Sequence, residues 1–231
     1  MTLHFGQAFG ELAPSLFSAL KIVTLLAVLA FALALIIGIV IAIGRIFGNK
    51  TINRILIVFV EIIRGTPLLV QLLYMYYVVP EILNFLIGFV VPDFHMNFGA
   101  FEAGVLGLGL NYGSYMSEVF RSSILAVDKG QNEAALALGY TRVKAMRHII
   151  FPQSIRISLP SLGNYFVMLL KDTSLCAFIT LGEIILTTQS YAAQTFLTIE
   201  AYTIAALVYL VASIPLGYLV RVLERRMAVY V

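Results

Sequence analysis

The sequence predicts an all-α integral membrane protein of about five transmembrane helices in a single domain spanning residues 1–231. Three observations carry this. First, 61% of the residues are hydrophobic and only 12% charged, against about half and a quarter in soluble domains. Second, Ile22–Ile43 and Ala201–Val220 are long stretches without a single charge. About 20 apolar residues cross a bilayer as a helix, and a helix satisfies its backbone hydrogen bonds internally, as lipid requires. Third, the basic residues gather in alternate loops.

The spans are expected at 16–44, 55–79, 99–124, 157–180 and 201–222. The first is too long and too poor in preceding basic residues to be a cleaved signal. The third carries Glu118 and the fourth Lys171 and Asp172, so hydropathy alone marks these two less clearly. Residues 80–98, with Pro80, Pro92, Asp93 and Asn97, read as a connector that includes an interfacial helix. Residues 181–200 are too polar to span easily and suggest a short amphipathic or re-entrant helix.

Arg45, Lys50 and Arg54 follow span one. Arg121, Lys129, Arg142, Lys144, Arg147 and Arg156 follow span three, and Arg221, Arg225 and Arg226 form the tail. Glu11, Glu81, Asp93, Glu102, Glu183 and Glu200 occupy the opposite side, which has no basic loop residue. Because cytoplasmic loops are rich in Lys and Arg, the N-terminus is expected outside and the C-terminus inside. A formal charge of +3 distributed this way serves topology and gives no reason to expect nucleic acid. His4, His95 and His148 lack ligand spacing, and Cys176 is the only cysteine. No metal site and no internal disulfide are therefore expected.

Each polar intramembrane cluster supports two readings. In span three, Asn111, Tyr115 and Glu118 share a helix face, with Tyr112 and Ser114 beside it. They form either a polar substrate stripe or, at Glu118, a structural ion pair with Arg121. In span four, Asp172, Thr173 and Ser174 lie about 22 Å along the helix from Ile157 at 1.5 Å per residue. They either line a cavity, where Asp172 would hold an ammonium group, or pack against neighbours, with Lys171 pairing Asp172. In span two, Glu61 and Arg64 are placed for an internal salt bridge. Gly65, Thr66 and Pro67 follow, and Pro67 kinks the span as either a gate or a static bend.

The loop 128–152 reads as two short helices separated by a stop at Gly139. Here the chain resembles the permeases of ATP-binding-cassette importers, whose signature is Glu-Ala-Ala, three residues, Gly, nine residues, Ile, one residue, Leu, Pro. Glu133, Ala134, Ala135, Gly139, Ile149 and Pro152 stand in register, with Phe151 where Leu is usual. The segments 60–80, 110–124, 159–175 and 223–227 are similar to those of the polar amino acid uptake permeases, the histidine and glutamine systems among them. The resemblance implies a type I importer permease fold and an ATPase-coupling role for the loop. It also implies a second permease copy or a homologous permease, two cytoplasmic ATP-binding subunits, an extracytoplasmic substrate-binding protein, and a bacterial inner-membrane location.

ATP and Mg would be bound by the partner ATPase and not by this chain. Gly48, Asn49, Lys50 and Thr51 lack the order and spacing of a phosphate-binding loop, and no Ser/His/Asp or zinc motif suggests an enzyme. An ion-gradient-driven transporter is the alternative. Such folds commonly show repeated halves, and none is visible here.

Overall fold

A computed structural model describes residues 3–91 and 94–227. Pro92 and Asp93, expected in an external connector, lie outside the described residues. Among the described residues every regular element is a helix, without strands.

Helix α1 (Phe5–Phe47) extends well before the span expected from residue 16. Gln7 and Glu11 depress hydropathy in its first turns. Even so, Ala8, Leu12, Leu16 and Ala19 recur at helical spacing and are buried. Helix α2 (Lys50–Gly65) begins at Asn49, whose side chain accepts from the Ile52 amide at 2.9 Å.

Span two is not a continuous kinked helix. It breaks completely at Thr66 and Pro67, both extended, and restarts as α3 (Leu68–Leu73). A residue preceding proline avoids helical backbone angles. From there a π turn (Tyr74–Val78) leads into α4 (Val79–Gly88), making one apolar stretch, Leu68–Gly88, long enough to cross a membrane. A second π turn, Met146–Ile150, joins α7 (Arg142–Ala145) to α8 (Phe151–Asp172). Each π turn ends two residues before a proline, Pro80 or Pro152. Widening the helix there accommodates the ring and the missing donor.

Helix α5 (Ala100–Ala126) is long enough to span but carries Glu102, Glu118 and Arg121. It packs along α1 through small residues. A Cβ on Gly113 would lie 2.7 Å from the Ile37 Cγ2 and 3.2 Å from the Ala34 carbonyl oxygen, and one on Gly38 would lie 3.0 Å from the Met116 Cβ. Small residues spaced by four permit this close approach in membranes.

After α5 come α6 (Lys129–Ala137), a turn, and the long helical run Arg142–Ile179, which ends in a 3₁₀ segment, Thr173–Ile179. Helix α9 (Ile184–Thr195), at about 18 Å, is too short to span. Its cap is the buried Glu183, which accepts from the Leu186 amide and the Tyr209 hydroxyl, both at 2.9 Å. Helix α10 (Thr198–Met227) closes the bundle. Among the described residues, four stretches qualify as spans by length and composition: Phe5–Phe47, Leu68–Gly88, Arg142–Ile179 and Thr198–Arg226. The more polar α5 is enclosed among them.

Candidate functional site

The break in span two opens onto a cavity of about 710 Å³, within the range of small-molecule sites. Three elements line it. The broken span contributes Arg64, Gly65, Thr66, Pro67 and Leu68; α5 contributes Asn111, Tyr112 and Tyr115; α8 contributes Ser161, Asn164, Tyr165, Met168 and Asp172. Polar candidates from three separated segments therefore converge on one space.

The break is held open by a side chain that hydropathy and motif spacing did not flag. The Gln71 amide nitrogen donates to the Ile63 carbonyl at 2.6 Å, and to the Thr66 carbonyl and hydroxyl at 3.1 and 2.8 Å. Its oxygen accepts from the Asn111 amide at 3.1 Å. Carbonyls at a helix end need partners, and Gln71 supplies them while tying the break to α5. A glutamine four residues after a proline in an apolar stretch is the only trace of this in the sequence.

Arg64 and Glu61 do not form the expected salt bridge. The Arg64 guanidinium lies 5.0 Å from the Tyr115 ring centroid, a cation–π distance, and faces the cavity. Asp172 does not pair with Lys171 either. It accepts from the Tyr112 hydroxyl at 2.6 Å, which fastens α8 to α5. Tyr165 packs between Tyr112 and Tyr115, with both centroids 6.1 Å away. The cavity thus has a cation, a carboxylate and an aromatic wall between them.

The other candidates lie elsewhere. Thr173 is buried and its hydroxyl donates to the Leu170 carbonyl at 2.7 Å. Ser174 is half-buried and off the cavity wall, and the buried Ser114 donates to the Leu110 carbonyl. Glu118 is clamped between Arg45 and Arg121, the latter at 3.0 Å. Of its two readings, the structure supports the ion pair, extended to a second arginine on α1.

The loop 128–152 takes the expected form. Asp128 caps α6 by accepting from the Gly130 amide at 2.7 Å. Gly139 has φ +83°, and the Tyr140 and Gly139 amides donate to the Ala135 and Leu136 carbonyls, a left-handed glycine stop. Thr141 then caps α7. Glu133 and Ala134 are exposed and Ala135 is buried; Leu138, 78% exposed, stands at the tip.

A bundle of apolar helices interrupted at a cavity with polar walls, with a structured polar loop between two long helices, defines a membrane transport component. The chain belongs to the family of binding-protein-dependent transport system inner membrane components, whose profile matches residues 34–229. It is 35% identical over 216 residues to the glutamine transport system permease protein GlnP of Escherichia coli, covering 94% of each chain. It is 36% identical to the L-cystine transport system permease protein TcyB of Bacillus subtilis, over 89% of this chain and 83% of the relative. A crystal structure of an amino acid ABC transporter with histidines superposes at a TM-score of 0.83 with 36% identity, covering 98% of this chain and 100% of that one. An inward-facing MetNI methionine ABC transporter matches at a TM-score of 0.62 and 15% identity, which supports the fold.

Proposed function

We propose that this chain is the membrane-spanning permease subunit of an ATP-driven importer for a polar amino acid, and that the cavity between Arg64 and Asp172 is where the amino acid passes. The carrying observation is that one space among the helices presents both charges. A zwitterion leaving water needs a partner for each of its charges. Arg64 and the start of α3, whose amides favour anions, receive the carboxylate. Asp172, held by Tyr112, receives the ammonium. Ser161 and Asn164 offer hydrogen bonds to a polar side chain.

The basic loops face the cytoplasm of a bacterial inner membrane, with the N-terminus outside. The 128–152 loop docks on a cytoplasmic ATPase, of which two copies bind ATP and Mg. The exposed Leu138 and Tyr140 supply the apolar contact, Glu133 and Ala134 face the partner, and the buried Ala135 and the Gly139 turn set the helix against α7. A second permease completes the pathway and an extracytoplasmic binding protein delivers the substrate. Thr66 and Pro67 are the gate: an extended hinge between two half-helices is the element that moves when the ATPases close.

The experiment is Gly139→Val. A β-branched residue at φ +83° is strained, while the space around Gly139 is open, so the bundle itself is untouched. The variant should insert normally but lose ATPase subunits on purification. Full recovery of the complex with normal uptake would refute the docking role.

A further inference from the structure

At the basic end of the bundle, an apolar groove of about 440 Å³ runs between the last turns of α1, the end of α5 and the start of the Arg142–Ile179 run. Ile43, Phe47, Ile124, Val143, Met146 and Phe151 wall it, and Arg147 borders it. Phe47 and Val143 are 49% and 70% exposed.

Two observations identify the occupant. The groove continues the uncharged stretch Ile22–Ile43 at the point where it gives way to charge, so its walls lie at the boundary between acyl chains and headgroups. The charge around it is also positive. Arg45 and Arg121 are committed to Glu118, but among the described residues no ion pair engages Arg147 or Arg142. An adjoining cavity shares Phe47, Ile124 and Met146 and adds Lys129 and Arg142 against Asp128 and Glu133; Asp128 is occupied in capping α6. Basic pockets beside spanning helices hold anionic headgroups, and long basic side chains lay their stems along apolar walls while reaching the interface.

We propose that this groove holds an acyl chain of an anionic phospholipid whose phosphate is bound by Arg147. The lipid wedges between α1 and the root of the 128–152 loop, so membrane composition bears on the position of that loop.

The chain contains no tryptophan, so Phe47→Trp places a reporter in the groove. The complex, purified with its co-purifying subunits, is reconstituted into phosphatidylcholine vesicles containing equal minor fractions of brominated phosphatidylglycerol or brominated phosphatidylcholine. The unsubstituted complex provides the background from partner tryptophans. Quenching by brominated phosphatidylglycerol should exceed that by brominated phosphatidylcholine about five-fold, as one basic side chain at an anionic surface confers. Arg147→Gln should bring the ratio to parity. Val143→Trp, on an exposed wall, gives the same reading if Phe47→Trp does not fold. Parity with Arg147 present means ordinary surrounding lipid and overturns the proposal. So does a preference that survives Arg147→Gln. Absence of quenching by either lipid at both positions means that protein covers the groove, which overturns it equally.

Discussion

The Tyr112 hydroxyl donates to the Asp172 carboxylate at 2.6 Å, linking α5 to α8 at the cavity wall. Tyr112 is almost fully buried whereas Asp172 is half-buried, so one partner is structural and the other remains open to the cavity. Tyr112→Phe removes the donor and keeps the packing. It should destabilise the complex by about 1.5 to 3 kcal/mol, the scale of a hydrogen bond to a charged group, and should weaken apparent substrate affinity by freeing Asp172 to reorient. Thermal unfolding of the purified complex and the substrate dependence of uptake check the two effects separately.

Gln71 is expected to matter more than its neutral, uncharged character suggests. Gln71→Leu leaves the buried Asn111 amide without its acceptor and removes the tie to the Ile63 and Thr66 carbonyls, of which Ile63 keeps the Thr66 hydroxyl at 3.2 Å. Each unsatisfied buried group costs about 1 to 3 kcal/mol. The variant should show a lowered melting temperature and increased proteolysis at the 64–68 break. A thermal profile matching that of the parent would argue against the staple.

The α1–α5 contact tolerates no added methyl group at its centre. Gly113→Val should cut the yield of assembled complex, with an overpacking cost of about 1 to 3 kcal/mol. Gly10→Ala, at a site with nothing within 4 Å, should leave yield unchanged or slightly raised because alanine favours helix. Quantified membrane yield of the two variants makes the comparison internal.

The spans with unbroken apolar runs, α1 and α10, were legible in sequence, as was the helix–turn–helix of the 128–152 loop, where glycine, caps and motif spacing all agree. Less was legible where one proline has several outcomes. Pro67 breaks its span, while Pro80 and Pro152 are absorbed by π turns, and the difference depends on whether a partner such as Gln71 captures the freed carbonyls. The pairing of charges was also hidden. Local spacing suggested Glu61 with Arg64 and Lys171 with Asp172. The observed partners, Tyr115 and Tyr112, come from another helix and depend on its rotation. The small-residue register Ala30, Ala34 and Gly38 opposite Gly109 and Gly113 was present in the sequence at four-residue spacing, and indicates α1–α5 packing without any hydropathy signal.

The central claim is that Asp172 serves the pathway while Glu118 serves the structure. The measurement that tests it is ATP-driven amino acid uptake per assembled complex in reconstituted vesicles, for Asp172→Asn and Glu118→Gln. Asp172→Asn should assemble, retain basal ATP hydrolysis, and lose at least about ten-fold in uptake per complex, as removal of one charge partner for a buried ammonium implies. Glu118→Gln should instead lower assembly, because Arg45 and Arg121 lose their shared carboxylate, with uptake per surviving complex unchanged. Unaltered uptake per complex in Asp172→Asn would contradict the account and remove the Arg64–Asp172 cavity from the route of the substrate.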